Sequence, residues 1–125
     1  GVQIGSRFAA TEESSAHQLF KKAIVEANEG DTQLTLKELA PVRLIKNKFF
    51  NDIQEMYKTA PTHEQLKELL GRARAKKGMF EGDLEDGELE IGQICGLIHD
   101  IKSVSKIVED ILNEFEVAKK IVPKL

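Results

Sequence analysis

Tryptophan is absent from this chain, and tyrosine and cysteine occur once each. The lone thiol, Cys95, excludes an internal disulfide and fits a reducing compartment, so a cytoplasmic location is expected. It sits between Ile94 and Gly96 with no neighbouring cation to activate it, and reads as a small buried apolar residue. Aromatic residues make up 6% of the chain. Phe8, Phe20, Phe49, Phe50 and Tyr57 fall on apolar faces, and Arg43, Lys46 and Lys48 are too few to turn them into a stacking platform for bases. Charge of one sign is missing too: 18 basic against 21 acidic residues leave a net charge of −3 with the signs mixed throughout. That removes the basic stripe of a nucleic-acid partner and the acidic tail of a solvating arm. No apolar run approaches the length needed to cross a bilayer, and no charged-then-apolar secretion signal opens the chain, so no membrane partner is expected.

What is present is mostly helical periodicity. A chain of 14.0 kDa with 41% apolar residues can bury one modest core, so residues 1–125 are read as one domain or part of one. Ala16, Leu19, Phe20, Ala23, Ile24 and Ala27 recur at helical spacing over residues 15–28, with Glu12 and Glu13 near the start and Gly30 as the stop. Residues 32–36 alternate as a short strand does, and Pro41 disfavours helix just before it. Asn47 is placed to cap a second helix that carries Phe49, Phe50, Ile53, Met56 and Tyr57. Thr62 and Gln65 have capping-box spacing for a third, with Leu66, Leu69, Leu70 and Ala73, ending near Gly78. Ser103 caps a last helix whose Ile107, Val108, Ile111, Leu112 and Phe115 are expected to face inward, with Pro123 closing it.

Two segments invite a functional reading. Residues 1–8 (GVQIGSRF) read as a short strand, Val2 to Ile4, running through Gly5 into a turn and a helix. Gly5 permits the tight turn, and its N–H and that of Ser6, with the Ser6 hydroxyl, suit a nucleotide or flavin phosphate. Gln3, Ile4, Gly5 and Ser6 are therefore the candidate cofactor-binding residues. Arg7 is placed either to bond a phosphate oxygen or to meet solvent or a carboxylate. In the second segment, Gly78, Gly82, Gly87, Gly92 and Gly96 fall within nineteen residues, a density that costs backbone entropy. It forms either a cover for a ligand site or, through Gly92 and Gly96, a close packing contact; Gln93 has the same two readings, ligand donor or partner of a buried carbonyl. Asp83, Glu85, Asp86, Glu88 and Glu90 lack calcium-loop spacing, because Gly87 stands fifth from Asp83 where a sixth-position glycine is needed. His17, His63 and His99 are far apart, without a Cys or His at ligand spacing, so no metal site is expected.

Residues 1–17 (GVQIGSRFAATEESSAH) resemble the end of the eighth strand and the following loop of nitronate monooxygenases, formerly 2-nitropropane dioxygenases. Arg43-Leu44-Ile45-Lys46-Asn47 resembles that family's basic-apolar stretch, and the segments from Glu81 to Gly87 and Gly92 to Ile98 resemble its late GD…G…GQ…GL region. The same segments are similar in the FMN-dependent enoyl-acyl-carrier-protein reductases, a sister group. The resemblance implies a mainly α chain with one or two short strands that is the C-terminal portion of an FMN-binding (β/α)8 TIM barrel, a fold of about 250 residues. It implies a flavoprotein oxidoreductase, a monooxygenase or dioxygenase, with FMN as cofactor and a small-molecule substrate, nitronate or enoyl thioester. Ser6 stands where the family commonly has Thr, which keeps the hydroxyl. The family's catalytic His lies upstream of the matched region, so no catalytic residue is assigned here, and His17 resembles a surface His near a helix start. The competing expectation is a helical interaction module without chemistry, whose exposed apolar face would make it self-associate as a homo-oligomer or aggregate.

Overall fold

The computed structural model describes residues 1–122, so Pro123 lies outside the described residues. Its elements run α1 (Ser6–Ala9), α2 (Gln18–Glu26), β1 (Thr32–Thr35), β2 (Val42–Ile45), α3 (Lys48–Tyr57), α4 (His63–Leu70), a π-helical turn (Lys76–Phe80), a 3-10 turn (Gln93–Leu97) and α5 (Val104–Ile121).

Local capping chemistry sets most helix starts. Asn47 accepts the N–H of Phe50 and opens α3. Thr62 accepts the N–H of Gln65 while the Gln65 side chain accepts the N–H of Thr62, a reciprocal box that opens α4. Ser103 accepts the N–H of Lys106 and opens α5. The expected helix over residues 15–28 is shorter, because His17 is its cap and accepts the N–H of Leu19. Glu13 lies outside it and instead accepts the N–H of Val104 at 3.0 and 2.9 Å, bracing the start of α5. Helix α4 stops at Gly71, with φ of 65°, well before Gly78, and Ala73 is exposed.

β1 and β2 form an antiparallel hairpin with Thr32 opposite Ile45 and Thr35 opposite Val42. Residues 89–91 run beside β2: Ile45 donates to Leu89 O at 3.0 Å, and Ile91 donates to Arg43 O at 3.2 Å. Because side chains alternate along a strand, Leu44 and Ile45 serve two different cores. Leu44 joins Leu36, Phe49, Phe50, Ile53 and Leu66. Ile45 joins Ala10, Phe20, Ile24, Leu89, Ile91, Cys95 and Ile98. The faces expected for α2, α3 and α4 are those that pack, except for Leu19, which is exposed, and Ala73, which lies beyond α4.

Two expectations are corrected. The strand expected at Val2 to Ile4 is not formed: residues 1–5 are irregular and exposed, since no strand among the described residues lies alongside to satisfy their backbone groups. Of the face expected to turn inward on α5, Ile107 alone is buried and Ile111 is half-buried, while Val108, Leu112 and Phe115 are exposed; the groove that Ile4, Arg7 and residues 94–102 form with α5 takes in Ile107 and Ile111 but not those three.

Candidate functional site

A cavity of about 420 Å³ opens where α1 meets β2 and residues 90–92, with Gly5, Ser6, Arg43 and Gly92 on its wall. A Cβ built on Gly5 would meet nothing within 4 Å, so the backbone there is bare to the cavity. Gly5 accepts from the N–H groups of Phe8 and Ala9, which turns the chain sharply at this point. Ser6 is fixed from the far side: the N–H of Gly92 donates to Ser6 Oγ at 3.0 Å. That bond occupies an acceptor lone pair and leaves the hydroxyl hydrogen available to another group.

The four candidate residues are not brought together. Gly5 and Ser6 line this cavity, whereas Ile4 lines a separate groove with Arg7, Ile94 and Leu97, and Gln3 is exposed. Arg7 resolves to its carboxylate alternative: it donates to the backbone O of Asp100 at 2.7 Å and to the Asp100 carboxylate. Lys102 and Arg7 hold the Asp100 carboxyl below the usual range. Gln93 is exposed and lines a third cavity, of about 540 Å³, with Thr32, Arg43, Gly96 and Leu97.

The glycine-rich segment is largely a packing device. Gly96 rests on the backbone of residues 28 and 29, where a Cβ would stand 3.1 Å from Glu29 N. Gly82, at φ of 81°, lies against the ring of His17, whose Nδ1 would be 2.3 Å from a Cβ there. His17 is thus a helix cap wedged on a glycine. Gly92 differs, since it both lines the cavity and holds Ser6. In the acidic loop Asp83 accepts the N–H groups of Asp86 and Glu85, and those bonds, with Lys77 beside it, bring its carboxyl down to about 2. Among the described residues no cluster of His, Cys, Asp and Glu is placed to hold a metal. Cys95 is fully buried, and burial pushes its thiol up, away from nucleophilic use.

Sequence reasoning read Arg43 as part of a basic-apolar stretch and as too sparse a basic partner for base stacking, and it missed β2. The available signal was the apolar-polar-apolar run Val42-Arg43-Leu44, too short to stand out until Thr32–Thr35 is seen to pair with it.

The sequence profile of the nitronate monooxygenase family matches residues 1–114. The chain belongs to that family. A probable nitronate monooxygenase of Bacillus subtilis is 32% identical over 115 residues, covering 91% of this chain and 33% of the relative. One from Staphylococcus saprophyticus is 31% identical over 120 residues, covering 90% of this chain and 34% of the relative. Among solved structures, FabK from Thermotoga maritima superposes with a TM-score of 0.85 at 39% identity, over 97% of this chain and 39% of that one. Its M276A mutant superposes with a TM-score of 0.77 at 37% identity, over 97% and 36%. The chain therefore spans about a third of the length of the curated nitronate monooxygenase relatives it matches.

Proposed function

We propose that this chain is the C-terminal portion of an FMN-dependent oxidoreductase of the nitronate monooxygenase type, built on a (β/α)8 barrel, and that its part is to hold the FMN phosphate at Gly5 and Ser6. The observation that carries this reading is the bare backbone of Gly5 on the wall of the cavity shared with Ser6 and Gly92. The residues present fit a phosphate: the N–H groups of Ser6 and Arg7, in the first turn of α1, have no carbonyl within the helix to pair with, and the Ser6 hydroxyl has a hydrogen to donate. Bound FMN would supply the electron transfer that follows proton loss from the carbon beside a nitro group. Gly92 keeps the Ser6 side chain in one orientation, and Ile4 and Gln3 lead the chain into the site. None of the three histidines lines this cavity, in keeping with a proton-abstracting base contributed from outside this chain.

The test is Gly5→Val in the full-length protein that carries this chain. At φ of −106° and with nothing within 4 Å of the new Cβ, valine is accommodated by the protein itself, so folding by circular dichroism should be unchanged. The branched side chain would fill the phosphate's space, and flavin released on heating should fall to background. Equal flavin in variant and wild type would sink the assignment.

The enoyl-acyl-carrier-protein reductase reading comes second, supported by an identity to FabK that exceeds that to either probable nitronate monooxygenase. Oxygen uptake driven by an alkyl nitronate favours the first reading; nicotinamide oxidation driven by an enoyl thioester favours the second.

A further inference from the structure

Of the four arginines, two are held by carboxylate or several carbonyl oxygens and one is exposed, which leaves Arg43 distinct. Arg7 is paired with Asp100. Arg74 donates to the carbonyls of Leu69, Leu70 and Asp86 and lies over the Phe49 ring, 4.3 Å from its centroid. Arg72 is exposed. Arg43 is half-buried, and it bonds only through Nη1, to Thr32 O at 3.3 Å and Thr32 Oγ1 at 3.2 Å. Among the described residues no carboxylate oxygen lies within 4.0 Å of its guanidinium, and Nε and Nη2 donate to nothing. A partly buried guanidinium with free donors and no counter-charge is suited to receive an anion. Arg43 lines the same cavity as Gly5 and Ser6, and it also lines the neighbouring cavity with Thr32 and Gln93.

We propose that Arg43 is the cation that binds the flavin's phosphate monoester in the cavity it lines with Gly5 and Ser6. The proposal rests on the reading of that cavity as the phosphate site. Thr32 holds one arm of the guanidinium and so presents the remaining donors as a fork, the geometry that matches phosphate oxygens. Among the described residues Glu90, which is exposed, is the one carboxylate lining the cavity, and it sets the field against which Arg43 works.

The experiment compares dissociation constants for FMN and for riboflavin, which lacks the phosphate, in the full-length protein and its variants. Wild type should bind FMN the more tightly. Arg43→Gln should weaken FMN binding about 10- to 100-fold and leave riboflavin binding unchanged. Arg43→Lys, which keeps the charge and loses the fork, should fall between, and it serves as the reporter if the glutamine variant does not fold. Thr32→Val removes one of the two bonds that hold Arg43, so it should lower the FMN-to-riboflavin ratio, by less than Arg43→Gln does. An unchanged ratio in both Arg43 variants overturns the proposal, even if both flavins bind more weakly. So does a rise in substrate KM without a change in ratio, which would place the guanidinium in the neighbouring groove with Gln93. A wild type that binds both flavins equally would instead remove the phosphate-site reading itself, which separates the two failures.

Discussion

The N–H of Gly92 donates to the hydroxyl oxygen of Ser6 at 3.0 Å, tying the first helix to the glycine-rich segment 86 residues further along the chain. A Cβ on Gly92 would stand 2.7 Å from that same oxygen, so the contact requires both the hydroxyl and the bare glycine. The clashing atom ends a side chain that can rotate. Gly92→Ala should therefore release the bond without disrupting the fold, lowering stability by about 1 kcal/mol. Ser6→Ala should lower it by a similar amount. The double variant should add little, because each single change already removes the shared bond, and a double-mutant cycle of chemical unfolding checks this. Additive losses would mean that the two residues act separately.

Gly87 sits in a more demanding place. Its Cβ would lie 2.2 Å from Asp83 O and 2.3 Å from Gly78 Cα, and both are backbone atoms that cannot swing aside. Gly78 is itself pressed against the backbone of Glu88, where a Cβ would be 2.7 Å from the carbonyl oxygen. Gly87→Ala should cost about 3 kcal/mol or more and yield little folded protein, whereas Gly5→Ala, with open space at the same test, should melt like wild type. A Gly87→Ala protein of unchanged melting temperature would show that the 78–88 contact is not tight in solution.

These glycines also mark what can be read in a sequence. Asn47, Thr62 with Gln65, and Ser103 were legible as caps because a cap is completed within three residues of itself. The apolar faces of α2, α3 and α4 were legible for the same local reason. The density of glycine was visible, but which backbone each one touches depends on contacts such as Gly82 with His17, set far apart in the chain. Strand propensity at Val2 and Ile4 was real yet insufficient, since a strand exists only with a neighbour to bond. That Gly5 and Ser6 stand at a turn into a helix was legible, whereas the place of Arg43 on the same cavity was not, because it follows from the pairing of β2 with residues 89–91.

Glu88 gives the chain a pH dependence. It is only 8% exposed, and burial, reinforced by the charge of Glu90 and opposed by Arg74, raises its carboxyl from 4.5 to about 7. The folded state therefore holds this proton more tightly than the unfolded state. Its stabilisation is fully present below pH 4.5 and is lost as pH rises to about 7, a change on the order of 1–3 kcal/mol. Asp83 acts in the opposite sense: with its carboxyl lowered from 3.8 to about 2, its contribution is present above pH 3.8 and is lost as pH falls toward 2. Thermal unfolding should show greatest stability near pH 4 to 5 from these two groups, and Glu88→Gln should flatten the fall between 4.5 and 7. An unaltered slope in that variant would assign the pH dependence elsewhere.

Helix α5 carries the last prediction. Leu112 is 58% exposed and Phe115 57%, on the helix that also presents Val108, and Leu97 at 74% and Ile94 at 51% line a groove with Ile107 and Ile111 of the same helix. A stripe of this kind at helical spacing is what a buried face looks like, and contiguous apolar surface of more than a few hundred Å² is rare on a protein that stays monomeric. The 125-residue chain on its own should therefore self-associate at micromolar concentration, in keeping with a face that packs on the remainder of a longer protein. Leu112→Glu combined with Phe115→Glu should shift sedimentation toward monomer. Since both side chains are exposed, helix content should be preserved and stability should change by only about 0.5 kcal/mol per site. If the unaltered chain sediments as a monomer across that range, the exposed stripe is not an adhesive surface, and the interaction-module reading loses its basis.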